Sequence, residues 1–114
     1  MNIRKVASDI AVSDQLGPKD LPLVRSLGYR SVVCNRPDGE SGDQPLFESV
    51  QTAAELSDIA TRYLPIVSGA PTPDAIDEMR ILIRELPKPI LLYCRSGARS
   101  AMLVEAALAG RSDQ

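Results

Sequence analysis

The stretch Ile90-Leu91-Leu92-Tyr93-Cys94-Arg95-Ser96-Gly97-Ala98-Arg99-Ser100 constrains this chain more than any other. Four apolar residues in succession read as a short buried strand, and residues 99–108 read as a helix. A strand that feeds a loop and then a helix aims successive backbone N–H groups at one point. The helix dipole adds positive potential there. Such a junction binds an anion and lowers the pKa of a thiol at its start. Cys94 is therefore expected to be a thiolate and a nucleophile near neutral pH. Gly97 suits a tightly curled loop, because it lacks a Cβ. Arg99 can offer a planar fork of donors to a sulfur or phosphorus oxyanion. Ser100 can donate its hydroxyl to the thiolate. The competing assignment for Cys94 is a buried structural cysteine at a strand end. The residues that follow it weigh against that assignment.

The rest of the chain supplies the layers around this junction. Residues 3–6 and 9–12 read as an edge hairpin turning at Ala7-Ser8. A helix is expected over 17–27, opened by Gly17-Pro18, with Leu21, Val24 and Leu27 on one face and Gly28 stopping it. Residues 29–34 read as a buried strand that ends in a polar loop, 35–43. That loop is either a solvated connection or a wall of the pocket, with Arg36 as its contributor. A second helix is expected over 45–61 and a strand over 63–67, demoted to an edge or a bulge by Pro65. Thr72, Pro73 and Asp74 make a helix start. Ile76, Met79, Ile83 and Leu86 give that helix a core stripe, and Pro87-Lys88-Pro89 ends it. The predicted class is α/β, three-layered, with a mostly parallel central sheet and helices on both faces. Residues 110–114 are expected to fray.

Composition narrows the chemistry. One domain over residues 1–114 fits the length, and 44% hydrophobic and 25% charged residues suit a globular chain. The formal charge of −2 and the lack of a basic stripe argue against nucleic acid, so any anion site is local. No apolar run is long enough to cross a membrane, and Met1-Asn2-Ile3-Arg4-Lys5 lacks a following secretory apolar region. Two cysteines without export features suggest reduced thiols and a cytoplasmic location. The chain has no histidine, which removes Ser-His-Asp and Cys-His catalysis and any histidine-bearing zinc site. No metal or organic cofactor is implied.

The loop Cys94-Arg95-Ser96-Gly97-Ala98-Arg99-Ser100 resembles the active-site loop of rhodaneses, sulfurtransferases that carry sulfur as a cysteine persulfide. The segment from Gly28 to Glu40, with Arg36-Pro37-Asp38-Gly39-Glu40 at its end, resembles a different group. That group is the small phosphatase-like domain found alone or fused to metallo-β-lactamase-fold sulfur dioxygenases in β-lactamase hydrolase-like proteins. The second resemblance runs from about Ile3 to Leu108. It implies a fold similar to dual-specificity protein phosphatases and a setting in bacterial sulfide detoxification.

Two activities then compete. Tyrosine and dual-specificity phosphatases place five residues between cysteine and arginine, usually with a histidine before the cysteine. Here only four residues intervene and Tyr93 precedes. A contracted cradle suits a sulfane sulfur better than a tetrahedral phosphoryl group. Phosphatases also use a general acid. The loop expected to carry it, 68–71, has no carboxylate. Asp74 reads as a first-turn helix residue, and Asp38 stays open as a substitute acid. The residues thus predict a sulfurtransferase. Cys94 takes the outer sulfur of thiosulfate or glutathione persulfide, and the N–H ring from Arg95 to Arg99 stabilises the persulfide. Arg99 holds the departing sulfite. Arg95, Ser96 and Ala98 point outward, where they set donor preference or, for Arg95, are simply solvated. Alternatives are a cysteine-dependent phosphatase, or a non-enzymatic persulfide or redox partner of a sulfur dioxygenase or sulfide oxidase. Cys34 is either a core residue or a resolving thiol.

Overall fold

The structure, a computed structural model, describes residues 1–67 and 69–109. Its centre is a five-stranded sheet in the order β1-β2-β5-β3-β4. The strands are β1 (Arg4–Ala7), β2 (Ile10–Ser13), β3 (Ser31–Cys34), β4 (Ala60–Tyr63) and β5 (Ile90–Tyr93). Only β1 is antiparallel, paired to β2; the other contacts are parallel. Strand β5, the one that leads into Cys94, lies in the middle between β2 and β3. In register, Ser13 and Cys34 both lie opposite Tyr93, so three strand ends meet beside Cys94.

Alternating side chains of the same strands build two cores, as a period of two requires. Ile10, Val12, Val33, Ile90 and Leu92 pack against α3 (Pro73–Glu85) and α4 (Ala98–Ala109). Ala11, Val32, Cys34, Leu91 and Tyr93 pack against α1 (Leu21–Ser26) and α2 (Phe47–Leu56) on the opposite face. The class is therefore the α/β sandwich expected, a mostly parallel sheet with helices on both faces. None of the described helices is long and apolar enough to cross a membrane.

The boundaries differ from the expectation in instructive ways. The hairpin lies one residue later, turning at Ser8-Asp9, with a bulge between Lys5 and Ala7. One residue of register decides which side chains face which core, and this register sends Val12 to one face and Ala11 to the other. The first helix opens as a 3₁₀ turn, Pro18–Asp20, before α1. Leu27 does not share its buried face; it is 55% exposed beyond the helix end, where Gly28 turns the chain at φ 104°. Helix α2 is shorter than predicted, because Ser57-Asp58 breaks it and Asp58 takes φ 59°. The strand after it begins at Ala60, not at residue 63, since pairing with β3 selects Ala60–Tyr63. Pro65 lies past its end, so β4 is an edge strand for reasons of topology. Thr72 caps α3 as predicted, its hydroxyl accepting the Ala75 N–H at 3.2 Å. The fraying expected of residues 110–114 lies outside the described residues.

Candidate active site

Cys94 stands one residue past β5, and α4 begins four residues later at Ala98. The intervening turn folds back on the sulfur. The Gly97 N–H donates to Cys94 Sγ at 3.1 Å. Gly97 achieves this at φ 96°, a conformation side chains disfavour, with the Ser13 carbonyl only 3.4 Å from where a Cβ would stand. Residue Cys94 is 1% exposed. Burial is the largest single influence on its thiol and opposes ionisation. The Ser100 N–H, the Ser100 hydroxyl and the N–H groups of Gly97 and Ser96 together outweigh burial and hold the pKa below the ordinary thiol value.

Ser100 is fully buried, and its hydroxyl donates to Asn35 Oδ1 at 2.8 Å. A serine hydroxyl has one proton, so this bond and a bond to sulfur are alternatives that thiolate formation can exchange. Asn35 is itself fixed, since its Nδ2 donates to the Leu64 carbonyl at 2.8 Å. Ser96 is exposed, and its hydroxyl accepts the Ala98 N–H at 3.3 Å, closing the first turn of α4. The Arg95 and Ala98 side chains face solvent, while the Arg95 carbonyl accepts the Gln15 N–H at 3.3 Å.

Arg99 leaves α4 toward the loop after β3. Its Nη1 and Nη2 donate to the two carboxylate oxygens of Glu40 at 2.7 and 2.8 Å, and Nη1 also reaches the Ile66 carbonyl at 2.8 Å. Glu40 and then the neighbouring Cys94 charge raise the Arg99 pKa. Arg36, only 7% exposed, donates through Nε to the same Glu40 at 2.9 Å and through Nη1 to Gln15 Oε1 at 2.9 Å. Arg36 thus reaches the site through Glu40. Held by two guanidinium groups, with the Arg99 hydrogen bond the largest influence, the Glu40 carboxyl has its pKa lowered to about 2. It stays ionised at neutral pH and has no proton to give a leaving group.

The other carboxylate left open as an acid, Asp38, has a structural task. Its Oδ1 takes the Phe47 N–H at 2.9 Å at the start of α2, and its own N–H donates to the Tyr63 hydroxyl at 2.9 Å. Phe47 and Tyr63 stack with ring centroids 4.9 Å apart, bracing this loop from outside. Asp74 lies in the first turn of α3. Cys34 lies on the opposite face of the sheet from the α4 side, among Val32, Leu91 and Tyr93, and its thiol donates to the Arg36 carbonyl at 3.3 Å. Burial pushes the Cys34 thiol up. That is the setting of a core residue, which the charge of Cys94 also reaches. Glu40 and Asn35 are the site residues sequence reasoning passed over. A glutamate four residues after a loop arginine, beyond the Pro37-Asp38-Gly39 turn, was the available signal for the first. Among the described residues no group of three His, Cys, Asp or Glu side chains could hold a metal ion.

The β-lactamase hydrolase-like protein of Xylella fastidiosa strain Temecula1 is 30% identical over 103 residues, and its relative in Agrobacterium fabrum strain C58 is 25% identical. Each match covers 90% of this chain, which spans only 24% of the length of those relatives. A candidate phosphatase from Neisseria meningitidis Z2491 superposes with a TM-score of 0.85 at 30% identity, covering 91% of this chain and 74% of that one. Kinase associated phosphatase shares the fold alone, with a TM-score of 0.75 at 19% identity over 92% of this chain and 67% of that one. The family model for the phosphatase-like domain of beta-lactamase hydrolase-like proteins matches residues 2–111, and the chain belongs to that family.

Proposed function

We propose that this domain is a cysteine-dependent phosphatase for phosphoesters whose leaving group departs without being protonated, aryl phosphates being the simplest. The observation that supports it most is the Cys94 sulfur, held by the Gly97 N–H at 3.1 Å with its pKa lowered, beside Arg99. The phosphatase fold and the phosphatases among its structural neighbours point the same way. Fold alone does not define chemistry, so the residues must carry the steps. The Cys94 thiolate attacks phosphorus, an S–P bond forms, and the P–O bond to the aryl oxygen breaks to release phenolate. Water then attacks the phosphocysteine, freeing phosphate and the thiolate. Turn N–H groups and Arg99 hold the phosphoryl oxygens throughout. With Glu40 ionised and Asp38 engaged at α2, alkyl phosphates, whose leaving groups need a proton, are poor substrates.

A second reading has its own observation. Only four residues separate Cys94 from Arg99, and sulfur transfer needs no general acid. In that reading the thiolate attacks the outer sulfur of thiosulfate or glutathione persulfide. An S–S bond forms, and sulfite or the glutathione thiolate leaves. A second nucleophile then collects the sulfur, with a sulfur dioxygenase or sulfide oxidase as the natural partner.

One preparation separates the two. Aryl phosphate hydrolysis and thiosulfate-to-cyanide transfer are measured side by side, with intact mass read after each substrate. The first reading predicts aryl phosphate turnover and a transient phosphoryl adduct on Cys94, both lost by about a thousandfold or more in Cys94→Ser. A stable added sulfur with multiple turnover on thiosulfate, and none on aryl phosphate, replaces it with the second. Sulfur uptake without turnover marks a persulfide sensor.

A further inference from the structure

Strands β2 and β5 pair in parallel, with Ser13 opposite Tyr93. The ladder runs one bond further, from the Cys94 N–H to the Ser13 carbonyl at 3.4 Å. A regular parallel ladder would next join the Gln15 N–H to the Cys94 carbonyl. The Gln15 N–H instead takes the Arg95 carbonyl, one residue on, at 3.3 Å. The skipped residue lets the chain leave the sheet and curl around the sulfur. It also fixes one peptide plane. In a trans peptide the C=O and the following N–H point in opposite directions. With the Arg95 carbonyl drawn toward Gln15, the Ser96 N–H is turned the other way, and it is one of the donors to the Cys94 sulfur.

Gln15 is itself held. Its Oε1 accepts from Arg36 Nη1 at 2.9 Å, and its Nε2 donates to the Leu16 carbonyl at 2.8 Å. The side chain is tied at both ends of its amide, which steadies the backbone N–H beneath it. We propose that Gln15 is a positioning residue: its anchored N–H sets the Arg95–Ser96 peptide so that the Ser96 N–H faces the sulfur and any anion carried on it. This rests on Cys94 being the nucleophile, and it holds for phosphoryl and sulfur transfer alike.

A brace that served stability alone would leave the ionisation of the thiol untouched. The test is therefore a pH profile. Alkylation of Cys94 by iodoacetamide is followed by peptide mass in wild type, Gln15→Leu, Gln15→Pro and Thr72→Ala. Gln15→Leu removes both side-chain ties and keeps the N–H, whereas Gln15→Pro removes the N–H as well. Thr72→Ala weakens the fold at the start of α3 and serves as the control for stability. The inflection is expected to rise by about half a pH unit or more in Gln15→Leu and by about one unit or more in Gln15→Pro, with Thr72→Ala at the wild-type value. A wild-type inflection in Gln15→Leu overturns the proposal, whether or not Gln15→Pro folds, and so does an equal rise in Thr72→Ala. A wild type with its inflection at or above 9.0 overturns both the nucleophile and the proposal. The expected shifts in a protein inactive on aryl phosphate overturn the phosphatase reading and leave the role of Gln15 standing.

Discussion

At the scale of residues, the site is a contest between desolvation and hydrogen bonds over one sulfur. Burial alone raises a thiol's pKa, and the Gly97, Ser96 and Ser100 donors reverse the sign. Replacing Ser100 with Ala removes one donor and leaves the buried Asn35 Oδ1 without its partner. The alkylation pH profile of Cys94 is expected to shift upward, and urea unfolding to show a loss of about 1–3 kcal/mol. Glu40 gives a second, independent pH signal. Its folded pKa of about 2 lies below the ordinary 4.5, so its contribution is complete above pH 4.5 and is lost as pH falls toward 2. The urea midpoint of wild type should therefore exceed that of Glu40→Gln at pH 6, with the gap narrowing below pH 4.5 and closing only toward pH 2. The pair is partly exposed, so the gap corresponds to about 1 kcal/mol or less. Cys94, Gly97, Arg99 and Ser100 were legible in the sequence because they sit within seven consecutive residues, where local geometry is enough. Glu40 was not, because its partner Arg99 is 59 residues away and only the sheet order brings the two loops together.

At the scale of elements, legibility followed the strength of local signals. Helix α3 was readable at both ends: Thr72-Pro73-Asp74 begins it and Pro87 follows it. Thr72→Ala should cost about 0.5–2 kcal/mol in chemical denaturation, from the loss of the bond to the Ala75 N–H. Strand β4 was misplaced because residues 63–67 hold more apolar side chains than Ala60-Thr61-Arg62-Tyr63 does. What selects the latter is backbone pairing with β3, a long-range preference no local window contains. Helix α2 was overextended because residues 57–61 carry no glycine or proline to stop it, yet Ser57-Asp58 ends it, with Asp58 at φ 59°.

At the scale of the molecule, the central strand serves two cores at once, and the site inherits its rigidity from both. Leu91 packs toward α1 and α2, Leu92 toward α3 and α4, and both are fully buried. Either one changed to Ala should cost about 2–5 kcal/mol, read from a urea midpoint, against a typical domain stability of about 5–15 kcal/mol. The formal net charge of −2 leaves anion capture to Arg99 and the turn itself. Whether the turn lowers the pKa of Cys94 is read from the pH dependence of its alkylation, scored by peptide mass apart from Cys34. The inflection is expected below the ordinary thiol value of 9.0. An inflection at or above that value, or a thiol that reacts only after unfolding, would mean that burial prevails over the Gly97, Ser96 and Ser100 donors.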